Sequence, residues 1–111
     1  MLSREDYLLL KLSEECAEVI KEVHKALEFG LYDFDPDKPN TNNREKIVQE
    51  FIECQTVFNM LVDEQALFYP NEAEVSIRID AKQKKVEKYM EYSRNCGKLE
   101  QEGITDWGDD T

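Results

Sequence analysis

The chain predicts an all-α fold, a helical bundle of long antiparallel helices completed by oligomerisation. Three observations predict it. Apolar residues recur at helical spacing through three long segments. Breakers separate these segments: Gly30, Pro36 and Pro39 at the first junction, Tyr69-Pro70-Asn71 at the second. The middle segment is apolar over so much of its girth that it needs more than one neighbour, and a chain of 111 residues offers few.

The first helix is expected over residues 4–29. Ser3 is its N-cap, and Glu5 and Asp6 place acids in the first turn, where the helix dipole favours them. Leu8, Leu9, Leu12, Cys16, Val19, Ile20, Val23 and Leu27 form one apolar stripe. At about 100° per residue, Glu15, Glu18 and Glu22 lie along a border of that stripe, where they can turn into a cleft. Gly30 stops the helix.

Residues 30–43 are expected to form a polar loop long enough to close over a substrate. The spacing Asp33-x-Asp35-x-Asp37 matches the opening of a calcium-binding EF-hand loop. Lys38 stands where that loop needs Gly and Arg44 where it needs Glu, so the match fails.

The second helix is expected over residues 43–68, with Asn42 or Asn43 as its cap. Ile47, Val48, Phe51, Ile52, Cys54, Phe58, Leu61 and Val62 make its broad apolar face, and Val57 and Met60 extend that face towards Glu50 and Glu53. A third helix follows over residues 72–95, through Val86, Tyr89, Met90 and Tyr92. The alternation Val75, Ile77, Ile79 taken alone would read as a short strand. Lys82, Lys84, Lys85 and Lys88 make this the one basic segment, which is either a solvated face or a set of phosphate contacts. Residues 1–98 are read as the domain and residues 99–111 as a mobile acidic tail.

Charge and composition narrow the function. A formal net charge of −11 argues against a phosphate-backbone grip on nucleic acid, which needs clustered Lys and Arg. No apolar run reaches the roughly 18 residues of a membrane span. The first six residues carry acids where a signal peptide needs a basic stretch, so a cytoplasmic protein is expected. Cys16, Cys54 and Cys96 are widely spaced and odd in number, which suits reduced thiols, and Cys16 and Cys54, each inside an acidic cluster, are expected to be small core-packing residues. The absence of a Cys-x-x-Cys pair argues against zinc.

Two acidic clusters carry the chemistry: Glu14-Glu15-Cys16-Ala17-Glu18 and Glu50-Phe51-Ile52-Glu53. Residues three apart are neighbours on a helix surface, so each cluster presents a pair of carboxylates together. Brought face to face, such pairs form an oxygen-rich negative site that divalent cations make tolerable. Mg²⁺ bound there would act on a phosphorylated substrate, with one more carboxylate to orient or deprotonate water and lysines for the phosphates. The chain has no Gly-rich phosphate loop, and with His24 as its only histidine it has no multi-histidine metal site.

Glu14-Glu15-x-x-Glu18 followed by Glu50-x-x-Glu53 resembles the motif of the MazG-type nucleotide pyrophosphohydrolases in the all-α NTP pyrophosphatase superfamily. That motif reads Glu-Glu-x-x-Glu, a spacer, then Glu-x-x-Asp. The resemblance spans roughly residues 8–98 and includes the stretches 25–31 and 85–93, which are similar to those of short phage and bacterial members. It implies the reaction (d)NTP + H₂O → (d)NMP + diphosphate with Mg²⁺, Mn²⁺ being able to substitute, in a homodimer or homotetramer. Carried over by motif position, Glu15, Glu18, Glu50 and Glu53 would be metal ligands. Glu14 would be a further ligand or the residue that activates water. Lys11 and Lys46, each one turn before a metal-binding glutamate, would contact phosphate, with Lys82, Lys85 and Arg78 as further phosphate partners. Asn59, Asn42, Asn43, Phe29, Tyr32 and Phe34 are the candidates for the base.

Two departures stand out. Position 53 holds Glu where the family has Asp, and 31 residues separate Glu18 from Glu50, a long spacer that residues 30–43 account for. The alternative reading is a catalytically weak or inactive acidic helical binding protein, either a mimic of nucleic acid or an inhibitor of a host protein.

Overall fold

The computed structural model describes residues 1–101 and bears out the all-α prediction. Contacts divide the chain into two compact units, Met1–Tyr69 and Pro70–Thr111. The expected acidic tail falls mostly on residues 102–111, outside the described residues. No helix among the described residues is long and apolar enough to cross a membrane.

The first unit contains α1 (Arg4–Phe29), a ribbon of β1 (Phe34–Asp35) and β2 (Lys38–Asn42), and α2 (Asn43–Asp63). Ser3 caps α1 by accepting a hydrogen bond from the Asp6 amide. Asn42 and Glu45 form a reciprocal capping box at the start of α2. The two helices run antiparallel, because cross-helix partners step down one as they step up the other. Arg4 donates to Glu64 at 2.7 to 3.0 Å, Cys16 meets Cys54, Glu22 meets Lys46, and the Asn43 side chain donates to the Gly30 carbonyl at 2.8 Å.

Their contact follows alternating steps of four and three. Leu8, Leu12, Glu15, Val19, Glu22 and Ala26 are the buried or half-buried positions of α1 on this spacing, and Asn43, Ile47, Glu50, Cys54, Val57 and Leu61 are those of α2. Such spacing keeps one seam facing a single neighbouring helix. The expected stripe of α1 is corrected accordingly: Leu9, Ile20, Val23 and Leu27 are exposed. On α2, Val48, Phe51 and Ile52 are each more than half exposed. The stripes are wider than one partner helix can cover, and each helix takes the other on the border that carries its glutamates.

Residues 30–43, expected to be an irregular loop, hold the antiparallel ribbon, with a register shift between Phe34 and Asp35. Its base is tied to α2 by the Asn43 amide on the Asp33 carbonyl (2.8 Å) and the Arg44 amide on the Leu31 carbonyl (2.9 Å). Helix α2 ends at Asp63 rather than 68. Gln65 there takes the left-handed conformation (φ 64°). The amides of Gln65 and Ala66 return to the carbonyls of Val62 and Leu61, the closure that ends a helix in a Schellman motif.

The second unit contains α3 (Glu72–Asn95). Asn71 caps it, Glu72 and Glu74 stand in the first turn and Arg94 in the last. The alternating Val75, Ile77 and Ile79 are thus helical rather than a strand. Pairs one turn apart, Arg78–Glu74 and Lys84–Asp80, lace its surface. It closes as α2 does, with Gly97 (φ 77°) now in the left-handed position.

Candidate metal centre

Antiparallel packing brings the two acidic clusters together. Glu15 from α1 and Glu50 and Glu53 from α2 each offer a carboxylate oxygen within 4.8 Å of the others. Glu15 and Glu50 are half-buried in the seam and Glu53 is exposed. The donor set is all hard oxygen, which fits a Mg²⁺-like cation. With bonds of about 2.1 Å such a cation holds its ligand oxygens no more than about 4.2 Å apart, a span of the same order as the upper limit on their separation here.

Burial pushes the Glu50 carboxyl above the usual carboxylate range. The charges of Glu53, Glu18, Glu15 and Glu22 add to that push, in that order. Glu18 is exposed and outside the group of three, yet close enough to act on Glu50. No ion pair among the described residues involves Glu15, Glu50 or Glu53.

Two turns along α1 from Glu15, acid and base lie together. Glu22 is buried, with Lys46 at 3.7 Å on one oxygen and Lys25 at 3.7 Å on the other. Lys46, expected as a phosphate contact, is itself buried against Glu22. Sequence reasoning left Glu22 out of the site. The available signal was its place seven residues after Glu15, two turns along the same face.

The remaining candidates separate. Glu14 is exposed, accepts a hydrogen bond from Lys11 at 3.0 Å and is not in the group of three. Lys11 also lies over the Tyr7 ring. Asn59 is exposed on α2. Lys82 and Lys85 line a shallow cleft on α3 with Val86, Tyr89 and Met90, within the second unit. In the first unit a cavity of about 210 Å³ is lined by Lys25, Phe29, Asp33, Phe34, Pro36 and Asn43. It gathers three of the residues expected to contact a base. Tyr32 instead lies beside the Arg44 guanidinium, 5.0 Å from it, and Asn42 is spent on the helix cap.

Cys16 and Cys54 are not the core-packing residues expected. Cys16 and Cys96 are exposed and Cys54 is half-buried. Burial pushes the Cys54 thiol up, helped by its hydrogen-bonded neighbour Cys16 and by the charge of Glu15.

Comparison with known proteins finds no matching family model, no matching curated protein and no matching solved structure.

Proposed function

We propose that this chain is a Mg²⁺-dependent nucleoside triphosphate pyrophosphohydrolase that converts a (d)NTP to (d)NMP and diphosphate. The observation that carries the reading is the convergence of Glu15, Glu50 and Glu53 across the α1–α2 seam, with Glu18 beside them and, among the described residues, no cation of the chain paired to the three. Glu15, Glu50 and Glu53 would hold the divalent cation. Bound there, it would neutralise the phosphates and sharpen the acidity of a coordinated water. Glu18 is better situated than Glu14 to orient that water or take its proton, because Glu14 is engaged with Lys11. Lys11 would meet the phosphates by exchanging this exposed partner for them. The cavity beside Phe29 and Phe34 would take the base, with Asn43 and Asp33 as polar contacts.

A homodimer or homotetramer is part of the same proposal. It is supported by the apolar side chains that a single chain leaves open, Leu27, Phe51 and Ile52 among them.

The test is a screen of all (d)NTPs with Mg²⁺ or Mn²⁺, reading monophosphate and diphosphate separately. Glu15→Gln and Glu50→Gln are expected to lower diphosphate release by more than about a hundredfold with helicity unchanged. Full activity in either variant overturns the assignment. A chain inert towards every nucleotide favours the acidic binding protein instead.

A further inference from the structure

The sulfurs of Cys16 on α1 and Cys54 on α2 lie 3.4 Å apart, in contact and sharing a hydrogen bond. Each cysteine is the sequence neighbour of a carboxylate in the cluster: Glu15 precedes Cys16, and Glu53 precedes Cys54. Two thiols held sulfur to sulfur across a helix seam are a different object from a lone buried cysteine. A disulfide bond is about 2.05 Å long, so the pair needs to close by about 1.4 Å to be joined. Cys16 is exposed and reachable by a small oxidant, whereas Cys54 is half-buried behind it.

We propose that Cys16 and Cys54 form an oxidisable dithiol, which a peroxide converts to an intrachain disulfide joining α1 to α2 beside the carboxylates. The exposed Cys16 thiol reacts first. An S–O bond forms, the peroxide O–O bond breaks, and one water leaves, giving a sulfenic acid. The Cys54 sulfur then attacks the Cys16 sulfur. The S–S bond forms, the S–O bond breaks, and a second water leaves with the Cys54 proton. The balance is two thiols and one hydrogen peroxide to one disulfide and two waters, with two electrons passing from sulfur to oxygen. A thiol restores the pair by exchange. In a reducing compartment such disulfides are transient and report oxidant. The bond would fix the separation of the helices next to Glu15 and Glu53. Its formation does not depend on what those carboxylates bind.

The test uses the full chain carrying Cys96→Ser, which removes the third thiol. After limited hydrogen peroxide, intact-mass measurement is expected to show the loss of two hydrogens. Peptide mapping is expected to link the Cys16 and Cys54 peptides within one chain, and a thiol reductant to return both to alkylatable form. With Cys54→Ser added, the two-hydrogen loss is expected to vanish and Cys16 to gain oxygen instead. The proposal is overturned if both thiols stay alkylatable, if oxygen adds to either cysteine without a link, or if the linked peptides come from two chains.

Discussion

Around Glu22 the α1–α2 seam carries acid and base together, whereas around Glu50 it carries acid alone. At the first place Lys46 and Lys25 approach the two oxygens of Glu22, both at 3.7 Å. At the second, burial and then four neighbouring carboxylates push Glu50 up. Removing charge from water is costly unless a counter-charge is at hand. The chain supplies that counter-charge itself at Glu22. At Glu50 no cation of the chain is paired with it among the described residues, and the proposed metal would supply the counter-charge. On the proposed reading, the difference separates a structural use of buried charge from a functional one on the same pair of helices.

The largest expected effect is at the balanced end. Lys46→Met leaves Glu22 buried with, among the described residues, the partly exposed Lys25 as its remaining ion-pair partner, and is expected to cost about 3 kcal/mol of stability in urea unfolding. The double variant Glu22→Leu/Lys46→Met removes both charges and is expected to lie within about 1 kcal/mol of the parent. If Lys46→Met costs no more than an exposed lysine would, the ion pair is not what holds this end and the comparison breaks.

The acidic end is expected to respond in the opposite sense. Because the folded state raises the Glu50 pKa above 4.5, it binds that proton more tightly than the unfolded chain. The favourable contribution is present below the unfolded value and is lost as pH rises through the raised one. Without divalent cation, Glu50→Gln is therefore expected to match the parent near about pH 4 and to melt higher than the parent near about pH 7. Saturating Mg²⁺ is expected to raise the parent's melting temperature and not that of the variant. A variant that melts lower than the parent at neutral pH without metal would show that burial and repulsion together do not dominate there.

Much of this was legible in the sequence, for identifiable reasons. The bounds of α1 and α3 follow from Ser3, Gly30 and Asn71, whose chemistry is local. The end of α2 was not legible because Gln65 takes a left-handed conformation that residue preference gives to Gly. The ribbon was hidden because Lys38-Pro39-Asn40-Thr41-Asn42 lacks alternating β-branched residues. The acidic clusters were visible as spacing, and the structure brings three of their members together. Periodicity located the apolar stripe of α1 but not which border α2 would cover. That choice buries Glu22, pairs it with Lys46 and sets Cys16 against Cys54. Each of these joins residues that no single helical pattern relates.

The smallest expected effect sharpens the acidic end by grading its members. Glu53 is the exposed carboxylate of the three and the one that departs from the Asp of the resembled motif. A ligand that keeps its water loses less on leaving the metal than one held in the seam, because solvent replaces it. Glu53→Gln is therefore expected to weaken Mn²⁺ binding by about tenfold in a calorimetric titration, less than Glu50→Gln does, with stability unchanged to within about 0.5 kcal/mol. Glu53→Asp draws the carboxylate back by about 1.5 Å. The shorter side chain reaches less far towards a shared cation, so it is expected to weaken binding too, by less than about tenfold. Tighter binding by the Asp variant would mean that α1 and α2 approach more closely with metal than without it. Glu53 would then be a spacer fitted to the open seam rather than a ligand fitted to the closed one.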